Sequence, residues 1–118
     1  MELAEKHCEP CEGGARPMSQ EEAEAKLADL NDSSDEARAK PWAVTADGKA
    51  LKKGYKLKNF VQSVEFVNHI KDVAEEEDHH PDLEVGYGKV VVRLSTHAIG
   101  GLSENDFILA AKIDRLRA

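Results

Sequence analysis

Cysteine is scarce in this chain, and so are the features that mark secreted and membrane proteins. The 118 residues contain two cysteines, Cys8 and Cys11, too few for a disulfide framework. They lie in His7-Cys8-Glu9-Pro10-Cys11, and no second C-x-x-C or paired histidines follow to complete a four-ligand zinc site. A redox pair would open a helix, whereas Gly13-Gly14-Ala15-Arg16-Pro17 comes next. Residues 1–17 are therefore expected to be a flexible, solvated tail, with intermolecular metal binding or a reversible disulfide as the other readings of the two thiols. No apolar run approaches the about 20 residues that span a bilayer. The start, Met1-Glu2-Leu3-Ala4-Glu5-Lys6, lacks the basic and apolar regions of a signal peptide, so the cytosol is the expected compartment. Positive charge is in deficit as well, with 16 basic against 23 acidic side chains and a net charge of -7. Phosphate backbones would meet net repulsion, and direct binding to DNA or RNA is not expected. Aromatic residues make up 5%, and the single tryptophan, Trp42, reads as a core or interface anchor.

What is present suffices for one core. Hydrophobic residues reach 41%, and a chain of this length buries about two-thirds of its unfolded surface. A single domain over residues 18–118 is expected. Ser19 and Glu22 form an S-x-x-E capping box ahead of Ala23, Leu27 and Leu30, which supply a helical stripe. Asn31 to Lys40 reads as a surface loop. Trp42-Ala43-Val44 and Leu51 to Leu57 flank Asp47-Gly48, a dipeptide suited to a tight hairpin. Asn59 and Gln62 open a long helix whose broad apolar face includes Phe60, Val64, Val67 and Ala74. It should end near Glu77, because Pro81 drives the preceding residue toward extended geometry. Leu83, Val85 and Tyr87, then Val90, Val92 and Leu94, alternate around Gly88 as a second hairpin. Ser103 caps a last helix, with Leu102 and Phe107 spaced as a hydrophobic staple. The order α-β-β-α-β-β-α predicts an α+β two-layer sandwich, a four-stranded antiparallel sheet with three helices on one face.

Three of the five histidines, His79, His80 and His97, converge on this plan. A second hairpin turning at Tyr87-Gly88 pairs residues whose numbers sum to about 175, which sets His97 across from Asp78 or His79. Glu75 lies one helical turn before His79. Strand alternation would send His79 and His80 to opposite faces, unless the irregularity before Pro81 relaxes it. The cluster fits metal-free proton transfer, a zinc or iron site completed by Glu75 or Asp78, or a cluster without function. His7 and His69 carry no such signal.

Spacing then becomes specific. Glu75, three residues, His79-His80-Pro81, five residues, Tyr87, nine residues, His97, eight residues and Asp106 form a pattern that resembles the pterin-4a-carbinolamine dehydratases. Leu94-Ser95-Thr96-His97 and Gly101-Leu102-Ser103-Glu104-Asn105-Asp106 resemble the family's last strand and the start of its last helix. The resemblance runs from about Met18 onward, and only the segment Asn31 to Lys40 is longer than the family leads one to expect.

The resemblance implies a dehydratase without metal or cofactor that converts 4a-hydroxytetrahydrobiopterin to quinonoid dihydrobiopterin for reuse by aromatic amino acid hydroxylases. It implies that Glu75, His79 and His97 carry the proton transfers, and that His80 holds the pterin with Asp78, Ser95, Thr96 and Ala98. Asp106 is grouped with these binding residues, either orienting a histidine or complementing a helix start. A homodimer or homotetramer is implied too. Some animal members double as dimerisation partners of a homeodomain transcription factor, and that role would extend the expected location to the nucleus.

Overall fold

A computed structural model describes residues 2–10 and 16–117. Four main segments of helix and four strands follow one another as α1 (Gln20–Asn31), α2 (Asp35–Ala39), β1 (Ala43–Val44), β2 (Leu51–Lys56), α3 (Phe60–Glu77), β3 (Asp82–Gly86), β4 (Lys89–Leu94) and α4 (Glu104–Arg115). The strands form one antiparallel sheet in the order β1-β2-β4-β3. The α+β plan read from the sequence is thus the observed one, with α2 added. Single 3-10 turns at Leu3–Glu5 and His97–Ile99 complete the described elements.

Period-two alternation decides which face of the sheet is buried. Leu51, Lys53 and Tyr55 of β2 face inward beside their partners Leu94, Val92 and Val90 of β4. Lys52, Lys56, Lys89 and Arg93 lie on the opposite face. The inner face meets Leu30, Phe66, Ile70, Phe107, Ile108 and Ile113 from the helices in one apolar cluster. Trp42, 2% exposed, belongs to this core and stands edge-on to Tyr55 at 6.3 Å, which in turn meets Phe66 at 4.9 Å.

Capping sets the helix starts. Ser19 accepts the Glu22 amide while Glu22 accepts the Ser19 amide at 2.9 Å. Asn59 accepts the Gln62 amide at 2.9 Å. The second hairpin turns at Gly88, whose φ of +66° suits glycine. A Cβ there would also stand 2.9 Å from the Leu57 carbonyl oxygen.

Two expectations from the sequence do not hold in the structure. The segment Asn31 to Lys40 is not a plain loop, because Ser34 accepts the Ala37 amide at 3.0 Å and opens α2, which buries Ala37 completely. A serine followed by Asp35 and Glu36 is itself a helix-start pattern. β2 itself is interior to the sheet, and its Lys53 points into the core. Residues 2–10 are not a solvated tail. Leu3 is 7% exposed within the apolar cluster, and Lys112 Nζ donates to the Ala4 carbonyl at 2.9 Å. Cys8 is half-buried, whereas Cys11 lies outside the described residues.

Candidate active site

The last turn of α3 delivers the first two histidines. Asp78 adopts the left-handed conformation, φ 50° and ψ 41°, the single non-glycine residue among those described with positive φ. Aspartate tolerates this geometry better than most residues. The His79 amide still reaches back to the Ala74 carbonyl at 3.2 Å, so the chain leaves the helix in a closed turn. From there the two imidazoles diverge. His79, with a side chain 12% exposed, meets Asp106 Oδ1 at 2.7 Å through Nε2. His80, more exposed, meets Glu75 Oε2 at 2.5 Å.

Asp106 is wholly buried and fully engaged. Its Oδ2 accepts from the Thr96 hydroxyl at 2.8 Å and from the Ser103 amide at 3.0 Å, leaving Oδ1 for His79. A buried carboxylate with these partners fixes the ring orientation of the histidine it faces and stabilises that ring when protonated. Asp106 thus stands behind His79, outside the residues that line the cavity described below.

His97 arrives by a different route from the one the register suggested. The pairing sum of 175 holds, as in Asp82↔Arg93 and Val85↔Val90, but the ladder ends at Leu94. A bridge between Thr96 and Gly101, with the Thr96 amide 2.9 Å from the Gly101 carbonyl, closes a loop. His97 and Ala98 are exposed on the 3-10 turn inside it. Ser95 ties the loop to the first hairpin by donating to the Lys49 carbonyl at 2.8 Å.

A cavity of about 570 Å³ results, within the usual range of small-molecule sites. Asp78, His79, His80, Ser95, Thr96, His97 and Ala98 all line it. Strand alternation thus does not separate His79 from His80, which share the cavity at different depths. Glu75 is not in the lining and reaches the cavity only through His80. Tyr87, part of the sequence pattern, is 78% exposed at the hairpin turn. Among the described residues no group of three or more His, Cys, Asp or Glu side chains is arranged to hold a metal ion. A larger cavity of about 700 Å³ between α1 and the first hairpin contains no histidine, so the chemistry points to the smaller one.

Sequence reasoning overlooked Glu77 and Asn105, which also line the cavity. Glu77 ends the run Glu75-Glu76-Glu77, which reads as a solvated acidic face, yet its side chain is 3% exposed. Its alignment with Ile70 and Ala74 on the inner stripe of α3 is the signal that distinguishes it from its neighbours.

An α+β sandwich whose helix end and strand end place three imidazoles around one pocket defines a pterin dehydratase-like class. Residues 16–116 match the family model described as pterin 4 alpha carbinolamine dehydratase, and the chain belongs to that family. A Halorhodospira halophila protein provisionally named pterin-4-alpha-carbinolamine dehydratase is 44% identical over 118 residues, 100% of both chains. A Nitrosospira multiformis protein with the same provisional name is 47% identical over 98% of this chain and 92% of its own. Among solved structures, a Brucella melitensis protein titled transcriptional coactivator/pterin dehydratase superposes with a TM-score of 0.72 at 26% identity, covering 87% of this chain and 100% of its own.

Proposed function

We propose that the chain dehydrates 4a-hydroxytetrahydrobiopterin to quinonoid dihydrobiopterin by general acid–base catalysis, with the pterin as substrate and no metal or further cofactor. The observation that carries this reading is the pairing of His79 with the buried Asp106 carboxylate in a cavity that His97 also lines. Family membership supplies the substrate class. In the reaction the N5–H proton leaves, the N5 electrons form the N5=C4a double bond, and the C4a–O bond breaks as the hydroxyl takes up a proton. One water is released, and nothing is oxidised or reduced. The step needs one proton acceptor and one proton donor on opposite sides of a small bond system.

His79 suits the acceptor role, because Asp106 stabilises the imidazolium that forms. His97, exposed at the cavity mouth, suits protonation of the departing hydroxyl, since it can exchange protons with water. His80 binds the pterin, and Glu75 positions His80 rather than touching substrate. Asp78, Ser95, Thr96 and Ala98 supply the remaining wall. The product would return to aromatic amino acid hydroxylases. Service as a dimerisation partner of a transcription factor ranks second, because such a role has no need of a carboxylate-backed histidine in a pocket. After exhaustive chelation the protein should keep full turnover; activity lost on chelation and restored by zinc or iron would replace the acid–base mechanism with Lewis-acid catalysis.

We also propose a homodimer or homotetramer. β3 is an edge strand, with Val85 43% exposed and Tyr87, in the turn that follows it, 78% exposed, so it can pair with its copy across a two-fold axis. Light scattering at micromolar concentration should report at least twice the 13.0 kDa chain mass. A strictly monomeric, fully active protein would refute the assembly and leave the enzymatic reading intact.

A further inference from the structure

The histidine-bearing elements do not close the cavity by themselves. Cys8, Glu9 and Pro10, from a segment that reads as a solvated tail in the sequence, form part of its wall. Two polar side chains hold them there. Glu77 Oε1 accepts the Cys8 amide at 2.7 Å, and Glu77 Oε2 meets His7 Nδ1 at 2.9 Å and Lys112 Nζ at 3.7 Å. Asn105 pairs with Glu9 in both directions, accepting its amide at 2.9 Å and donating to its carbonyl at 2.5 Å.

These contacts are hard to give up. Without the segment, the nearly buried Glu77 carboxylate would keep, among these three partners, Lys112 alone at 3.7 Å, and a buried carboxylate short of partners is costly. Burial by itself would raise the Glu77 pKa, but the Cys8 amide, His7 and Lys112 hold it below the ordinary carboxylate range. The clamp is therefore charged at neutral pH. Its placement also matters. Glu77 is two residues before His79 and Asn105 is one before Asp106, so the residues that grip the segment stand on the same two helix ends as the catalytic pair. The family match begins at residue 16, so the segment lies outside it.

We propose that Cys8–Pro10 are a substrate-positioning strap, clamped by Glu77 and Asn105, that walls the pterin cavity and holds substrate toward His79 and His97. This inference rests on the dehydratase reading. The strap acts on binding, with the proton transfers left to the imidazoles.

The test is steady-state kinetics on 4a-hydroxytetrahydrobiopterin for the full chain, Glu77→Ala and Pro10→Gly, with amide hydrogen exchange read in parallel. In Glu77→Ala, exchange at the Cys8 and Glu9 amides should rise about tenfold or more as the strap opens locally. KM should rise about 5- to 20-fold with kcat within about twofold, the signature of lost binding rather than lost chemistry. Pro10 is exposed and outside the clamp, so Pro10→Gly should fold normally and raise KM about threefold, a readout that stands if Glu77→Ala does not fold. A released strap with unchanged KM, unchanged exchange in a folded Glu77→Ala, or wild-type KM in Pro10→Gly would each overturn the proposal. A wild-type chain with no turnover would instead overturn the dehydratase reading, and the strap with it.

Discussion

His79→Ala is expected to lower turnover by about 10²- to 10⁴-fold, the range for removing one positioned acid or base. His97→Ala should fall in the same range, because the reaction needs both a proton taken from N5 and one given to the C4a hydroxyl. The two variants should differ in one respect. His79 shares a hydrogen bond with the buried Asp106, so its removal leaves Oδ1 of that carboxylate without its imidazole partner and should also lower stability by about 1–3 kcal/mol. His97 is exposed, and His97→Ala should unfold at nearly the wild-type urea midpoint. His80→Ala should raise KM more than it lowers kcat, since a binding group serves ground and transition states alike. Wild-type kinetics in all three variants would show that the pocket is not the active site.

Asp114→Ala is expected to cost about 3–5 kcal/mol, a large share of the 5–15 kcal/mol typical of a domain. Asp114 is 1% exposed on α4 and gathers three donors: Trp42 Nε1 at 2.9 Å, Lys53 Nζ at 2.7 Å and Tyr55 Oη at 2.6 Å. Lys53 also lies 3.1 Å from Glu36 of α2, so one buried ammonium joins α2, β2 and α4. Removing Asp114 leaves that ammonium with Glu36 alone and strands two buried donors. The Tyr55 phenol is pushed far above its ordinary pKa, first by burial and then by Asp114, so it remains a hydrogen-bond donor throughout the working range. A urea unfolding curve reads the loss directly, and a midpoint within error of wild type would show that the network contributes nothing net. Activity per folded molecule should hold, since none of these residues lines the histidine cavity.

The parts of the fold that were legible are those where local chemistry and tertiary structure agree. Ser19, Asn59 and Ser103 stand at helix starts, Gly88 stands where positive φ is needed, and β2 alternates buried with exposed residues, whereas β4 buries Val90, Val91 and Val92 in a row and β3 leaves Val85 exposed. The convergence of His79, His80 and His97 followed from spacing and hairpin register, although the bridge at Thr96–Gly101, rather than a continued ladder, brings His97 in. The charged residues that the core takes inside were harder to read. Lys53, Asp114 and Glu77 look like surface residues one at a time, and only their distant partners make burial affordable. The same holds for residues 2–10, whose polar composition suggests a tail until Glu77, Asn105 and Lys112 supply matching groups from far along the chain. Asp106 was visible as a motif residue, but whether its carboxylate faces ligand or histidine depends on the depth of α4, which periodicity does not give.

The central claim is that the His79–His97 pocket dehydrates the 4a-hydroxy pterin. Its most direct test follows decay of freshly generated 4a-hydroxytetrahydrobiopterin under single-turnover conditions with wild-type protein, with the folded His79→Ala/His97→Ala double variant, and without protein. The account predicts rapid conversion to quinonoid dihydrobiopterin by the wild type and decay near the uncatalysed rate with the double variant. Equal rates for wild type and double variant, whether fast or slow, would contradict it.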